Sequence, residues 1–292
     1  MFKTERIDEY VLQLDAGKVG ASGWEHKTLA MFDQHFDSDK CRKDLFEGGL
    51  RAAKDGGHPV LFGGDMMDVM QTRSDPRRSR GGNMSDNMRY LNNLIDELAE
   101  FLLPYTENII AWFDGNHETA ILKNCDLDLV EAVIGKLRDK TGYAINHMNY
   151  SGYILYRMKF SSSNYGSPKV WVHHGYGGNA QVTKGVNHVM YRASSYPDAD
   201  VFLTGHTHNC WTMPHAQEKV SDGGKVYKRV QWHAQIPSLK DETKAKKGRG
   251  WGIEKGFTPQ VNGYGWVNFQ RVPCTNKQLV IPTQPTLVLE HN

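Results

Sequence analysis

The chain is poor in cysteine: four in 292 residues, Cys41, Cys125, Cys210 and Cys274, with no Cys-x-x-Cys spacing. That argues against a disulfide framework and makes a reducing intracellular compartment the simpler expectation. Nowhere is there an apolar run long enough to span a bilayer, and the start, Met1 to Arg6, lacks the apolar core of a signal segment. A soluble cytoplasmic protein with no membrane partner is therefore expected. Nor does one charge sign dominate, with 35 Lys and Arg against 33 Asp and Glu. No global field argues for nucleic acid, and any basic patch has to be local. Internal repeats are missing too. The length suits one large α/β domain, residues 1–292, with ample material for a buried core.

What is present is a recurring strand-end pattern. The stretch Pro59 to Asp68 runs from an apolar strand into Gly63-Gly64 and then Asp65-Met66-Met67-Asp68. Strand ends of that kind are where open α/β sheets place ligands, which makes Asp65 the first candidate metal ligand. The pattern returns three times. Ile109 to Phe113 leads into Asp114-Gly115-Asn116-His117-Glu118, Val170 to Val172 into His173-His174-Gly175, and Val201 to Leu203 into Thr204-Gly205-His206-Thr207-His208. A single Gly-Asp turn is common. Four glycine-flanked Asp, Asn or His residues at strand ends are not.

At these blocks the chain resembles the calcineurin-like metallophosphoesterases, with Gly64-Asp65-x-x-Asp68, Gly115-Asn116-His117-Glu118, His174-Gly175 and Gly205-His206-Thr207-His208 in that family's order. The resemblance implies an α/β fold: a two-sheet β-sandwich flanked by helices, four layers α/β/β/α, with the site at strand ends along one edge. It implies one or two divalent metal ions held by Asp65, Asn116, His174, His206 and His208. Asn116 and His206 would serve the second metal and His208 the first. His174 is preferred over His173 because it directly precedes the glycine. His117 would stay unligated and protonate the leaving oxygen, with Asp68 holding its other ring nitrogen. Mixed oxygen and nitrogen donors suit Mn, Fe or Zn better than Mg.

One part of the pattern looks altered. The family's first strand ends in Asp-x-His, whereas the first strand read here, Tyr10 to Leu14, leads into Asp15-Ala16-Gly17-Lys18. Three readings stay open. Asp15 or the nearby His26 rebuilds the site, the Lys18 ammonium replaces a metal, or the activity is lost and the scaffold kept.

The rest of the chain reads mainly as packing. Lys27 to Lys54 carries helical spacing and ends at Gly56-Gly57, giving a βαβ opening with a parallel strand pair. Gln71 to Gly82 is a basic loop in which Arg73, Arg77, Arg78 or Arg80 can reach a substrate phosphate. Ser85 caps a helix to about Leu103, and Asp126 to Lys140 forms another. Tyr150 to Phe160 and Lys169 to Val172 pair as a hairpin of a second sheet. The glycine-rich Gly175 to Asn179 permits close approach of a phosphate but lacks a P-loop ending. Arg192 is a substrate contact or, more simply, a surface residue. His233 reads as structural, and Lys240 to Gly250 as a solvated charged loop. From about 220 to 292 the chain reads as β-rich and completes the second sheet.

The function read from these residues is metal-dependent hydrolysis of a phosphomonoester or phosphodiester, a nuclease included, so nucleic acid stays open as a partner beside a phosphate-ester substrate. The alternative is a catalytically reduced scaffold that keeps one metal and binds a partner.

Overall fold

The computed structural model describes residues 2–20, 23–69, 84–178, 182–242, 256, 258–272 and 279–290. Among them, two mixed sheets pack face to face and helices flank them. In the first sheet β3 (Glu25–Met31), β4 (Val60–Gly63) and β5 (Ile109–Phe113) lie parallel, with the short β6 (Asn146–His147) beyond β5. On the other side of β3 runs antiparallel β13 (Gly263–Val272), which carries β14 (Leu279–Pro282) and β15 (Thr286–Leu289). The second sheet is ordered β1 (Thr4–Asp8), β2 (Val11–Lys18), β7 (Ser151–Lys159), β9 (Lys169–His173), β10 (Val201–Thr204), β12 (Val226–Gln235) and β11 (Trp211–Val220), with β8 (Tyr165–Gly166) on the edge of β7. Its β9, β10 and β12 are parallel.

Strand alternation sorts the side chains into layers. Ala30, Phe32, Leu61, Ala111 and Phe113 from the first sheet meet Leu12, Ile154, Val172, Leu203 and Ile236 from the second in the core between the sheets. On the outer face of the first sheet, Leu29, Met31, Phe62 and Trp112 pack against α1 (Lys43–Asp55), α2 (Met84–Leu102) and α4 (Leu129–Thr141) through Phe46, Leu50, Leu91, Leu98, Val133 and Leu137. Burying each such side chain is worth about 1.5–3 kcal/mol. The outer face of the second sheet has a thin cover, in which Trp171, Phe202 and Ala199 pack with Tyr196 next to the short α5 (His188–Ser195).

Four expectations need correction. Only the second half of the Lys27 to Lys54 segment is helical; the first half is β3, whose apolar residues from Leu29 to Phe32 are all buried. The parallel pair of the βαβ unit is therefore β3 with β4, while the strand read from Tyr10 to Leu14 lies in the second sheet beside β7. The C-terminal strands divide: β12 joins the second sheet, but β13, β14 and β15 extend the first. Ser85 falls inside α2 instead of capping it. No helix among the described residues is long and apolar enough to cross a membrane. Cys41, Cys125 and Cys210 are free thiols, and Cys274 lies outside the described residues.

Candidate metal centre

Parallel strands deliver their C-terminal ends to one edge, and the two sheets present those ends to each other. From the first sheet come Asp33 and His35 just past β3, Asp65 past β4, and Asn116 and His117 past β5, at the start of α3 (Asn116–Cys125). The second sheet contributes His174 after β9 and His206 and His208 after β10. Backbone pairing carries on beyond the strands, with Asp33 N donating to Gly64 O at 3.0 Å, His35 N to Asp65 O at 3.0 Å and Gly205 N to His174 O at 2.8 Å. The loops then turn through left-handed backbone at Asp33 (φ 52°), His35 (49°), Asp65 (52°), His206 (70°) and His208 (57°). For residues with a side chain this conformation is strained, and such strain gathers at functional sites. Two glycines let the loops close on each other: a Cβ at Gly115 would overlap Asp65 Oδ1, and one at Gly205 would overlap Asp33 Oδ2.

Donor atoms converge in two adjoining groups, Asp33 with His35 and His208, and Asp65 with His174 and His206, and a third set, His35 with Asp68 and His117, borders the first. In the first, His35 Nε2 lies 3.3 Å from His208 Nε2, which is 3.5 Å from Asp33 Oδ1. In the second, His174 Nε2 lies 3.2 Å from Asp65 Oδ2 and 3.1 Å from Asn116 Oδ1, and Asn116 Oδ1 is 2.7 Å from His206 Nδ1. His174 Nε2 is also 3.9 Å from Asp33 Oδ1, which links the groups.

Each of three rings is held by its far nitrogen. His174 Nδ1 faces Gly63 O at 3.0 Å, and His206 Nε2 faces Gly177 O at 3.0 Å. His35 Nδ1 sits 2.8 Å from Asp68 Oδ1, close enough for attraction though out of line for a hydrogen bond. An acceptor on the far nitrogen fixes the proton there and leaves the lone pair of the near nitrogen turned into the cluster, which is how metal-binding histidines are set. Asp33 Oδ1 is fully buried with no hydrogen-bond donor. Inward lone pairs around an orphaned carboxylate oxygen fit one or two divalent cations.

The electrostatics point the same way. Burial disfavours charge on Asp65, yet the His174 and His117 charges hold its carboxyl well below the usual range. Burial likewise lowers the His174 pKa, but Asp65 and Asp33 outweigh it and push the ring up to about 10. Without a cation the cluster thus recruits a proton to offset its carboxylates.

A surrounding layer braces these atoms. Glu118, 3 % exposed, accepts from the backbone amides of Asp65 (3.0 Å), Met67 (3.0 Å) and Gly115 (2.9 Å), tying the β4 and β5 loops together while closing the first turn of α3. The Asp68 carboxylate lies 2.7 Å from Lys240 Nζ as well as beside His35. His117 meets Asp68 through the main chain: its Nδ1 donates to Asp68 O at 2.5 Å, so the expected carboxylate contact is corrected to a carbonyl. Its Nε2 is 3.8 Å from Asp65 Oδ2, and its backbone N donates to Asp65 Oδ1 at 3.0 Å.

The structure thus brings together Asp65, Asn116, His117, His174, His206 and His208. It does not bring in Asp15, which is exposed on β2 with its carboxylate turned back to Gly17 N at 2.9 Å. Lys18 is exposed on the same strand, and His26 packs with Tyr156 and Phe269 within β3. An Asp-x-His pair that joins the cluster lies further on, as Asp33-Gln34-His35. Leu29 to Phe32 is one more apolar run ending in an Asp and a His, a signal masked by the helical spacing of Leu29, Phe32 and Phe36. Glu118 and Lys240 were also missed; Lys240 is 9 % exposed instead of solvated. His173 faces away from the cluster and accepts from Gly175 N through Nδ1. Arg73, Arg77, Arg78 and Arg80 lie outside the described residues.

No protein-family profile and no curated protein matches the chain. Solved structures do. One is a conserved uncharacterized protein of Streptococcus pneumoniae TIGR4, described as a predicted phosphoesterase, with 14% identity, 92% of this chain and 100% of that chain covered, and a TM-score of 0.34. Another is GAP50, the anchor in the inner membrane complex of Plasmodium, with 10% identity, 91% and 90% coverage, and a TM-score of 0.45. At these values neither carries an argument about this chain, and the reading of the site rests on its geometry.

Proposed function

We propose that the chain is a metal-dependent phosphoric ester hydrolase of the calcineurin-like kind. The observation that carries this reading is the pair of inward lone pairs on His174 and His206, each backed by a carbonyl acceptor on the far ring nitrogen, beside the orphaned Asp33 Oδ1. Asp33, His35, Asp65 and His208 would hold one cation, and Asp65, Asn116, His174 and His206 a second. When bound, such cations acidify a water and neutralise phosphate oxygens.

The chain's own residues supply the rest. Asp65 stands between the groups and is aligned by the His117 amide. The bond to Asp68 O fixes the His117 proton on Nδ1, so Nε2 is the atom that takes up a proton and gives it to the departing oxygen. Asp68 and Lys240 hold His35 in place. The scaffold alternative rested on the supposedly altered Asp15 to Lys18 motif, and with Asp33 and His35 in the cluster no observation favours it.

Metal analysis with Mn-supplemented hydrolysis of p-nitrophenyl phosphate and bis-p-nitrophenyl phosphate tests the reading and separates monoester from diester preference. Metal-stimulated turnover that disappears in Asp65→Asn is the expected result. Turnover at full strength in that variant overturns it.

A further inference from the structure

Arg192 projects from α5 onto the outer face of the second sheet, with only 4 % of its surface exposed. Its Nη1 donates to Thr204 Oγ1 at 3.3 Å, while its Nε is buried with no acceptor. Among the described residues no carboxylate answers its charge, and burial pushes its pKa down. On β12, both ring nitrogens of His233 are likewise buried without partners. A desolvated guanidinium without an acid is costly, and several unsatisfied polar atoms in one place mark a site for something the chain does not itself supply.

The surroundings define that something as an anion. Thr204 lies in register with His173 across the β9–β10 pair, and both residues face outward beside Arg192. Because His173 Nδ1 accepts from Gly175 N, the His173 proton is on Nε2, a second donor. The Tyr176 ring lies 5.7 Å from that of His173, and its hydroxyl is 3.2 Å from His188 Nδ1. The Thr204 hydroxyl gives its own proton to Gln235 Oε1 or Ala234 O, which leaves the Arg192 guanidinium and His173 Nε2–H as the cationic and donating groups here. The place shares a rim with the metal centre but lies on the outer side of the second sheet: His174 follows His173 directly with its ring turned the other way, and His206 comes two residues after Thr204.

We propose that Arg192, with His173, binds a phosphate group of the substrate other than the one hydrolysed. The guanidinium fork suits phosphate oxygens. The substrate class that follows, resting on the phosphoesterase reading, is one with a second phosphate near the scissile one, such as a phosphorylated nucleotide or a phosphodiester chain.

The first test needs no turnover. Metal-free protein is titrated with inorganic phosphate by calorimetry and phosphorus NMR. Saturable binding is expected in the wild type and in Asp65→Asn, and weakened about tenfold or more in Arg192→Met, the scale of one charge-assisted hydrogen bond. No binding to the wild type, or equal binding in Arg192→Met, overturns the proposal. Should Arg192→Met not fold, Arg192→Lys and His173→Phe carry the same comparison.

The second test uses the Mn-loaded enzyme and separates substrate phosphate from free phosphate. In Arg192→Lys, KM for a 5′-phosphorylated dinucleotide is expected to rise about tenfold more than KM for p-nitrophenyl phosphate. Equal rises, with only inhibition by free phosphate weakened, overturn the substrate assignment. Phosphate binding that depends on Arg192 in a protein inert toward every ester would sink the hydrolase reading and leave the anion site standing.

Discussion

Because Asp68 O accepts from His117 Nδ1, the His117 nitrogen nearer Asp65 is the one that gains and loses a proton. Burial lowers the pKa of this ring, but the Asp65 charge and the Asp68 carbonyl outweigh it and raise the pKa above the ordinary histidine value. In metal-free protein the acidic form therefore persists to higher pH than in a free histidine, and in the loaded enzyme kcat should fall on the alkaline side as the acid loses its proton. His117→Gln should cut kcat by about 10²–10⁴-fold with an alkyl leaving group and by much less with p-nitrophenol, which departs without help. Comparing kcat for the two leaving groups across pH checks both statements, and equal losses would remove His117 from the acid role. Asp68→Asn should weaken metal affinity by about 10–100-fold, because Asp68 orients His35 from its far nitrogen; competition with a chromogenic chelator measures it. The donors Asp65, Asn116, His174, His206 and His208 were legible because glycine-flanked strand ends repeat in the sequence. The Asp68–Lys240 pair was not, since it joins residues 172 positions apart through tertiary approach alone.

At the scale of elements, β3 and the turn after it hold the site together. Residues Thr28 to Phe36 are buried without a break, so the strand shows no alternation, and Leu29, Phe32 and Phe36 by chance carry helical spacing. That is why the sequence suggested a helix where the structure has a strand leading to two donors. Phe32 does more than fill the core. A Cβ at Gly63 or at Gly205 would overlap its ring, so the ring wedges the β4 and β10 loops. Phe32→Ala should cost about 3–5 kcal/mol of stability in urea denaturation and also weaken metal binding. Phe46→Ala, in the helix-side core on α1, should cost a comparable amount and leave metal affinity near the wild-type value. If both variants lower metal affinity alike, the wedge has no special role. Glu118→Gln replaces an acceptor of three backbone amides with a group that also donates, which should destabilise by about 1–3 kcal/mol, again read from denaturation.

For the whole molecule, stability is coupled to cation and proton together. In metal-free protein the His174 pKa is pushed up to about 10, against 6.5 for an ordinary histidine. A raised folded-state pKa gives stability that is complete below pH 6.5 and is lost as pH rises toward 10. Thermal melts in chelator should therefore show Tm falling across that window, and saturating metal should remove the slope, because a ligand nitrogen no longer titrates. Metal uptake at neutral pH should release the His174 proton, visible as a buffer-dependent calorimetric heat. At a hundredfold excess over Kd a bound ion should add about 2.7 kcal/mol. The two-sheet sandwich was expected from the resemblance at the four strand-end blocks, and the structure has it. The distribution of the C-terminal strands was not, because β12 and β13 carry no mark of which sheet they join.

Asp33, His35, Asp65 and Asn116 belong to one half of the sandwich, and His174, His206 and His208 to the other. An ion seated among them is therefore a rivet through the seam, and its departure should let the two halves breathe apart at that rim alone. Amide exchange should then quicken together at the C-terminal ends of β4 and β10 when chelator is added, while the opposite rim, where Val60 and Val201 begin their strands, keeps its protection.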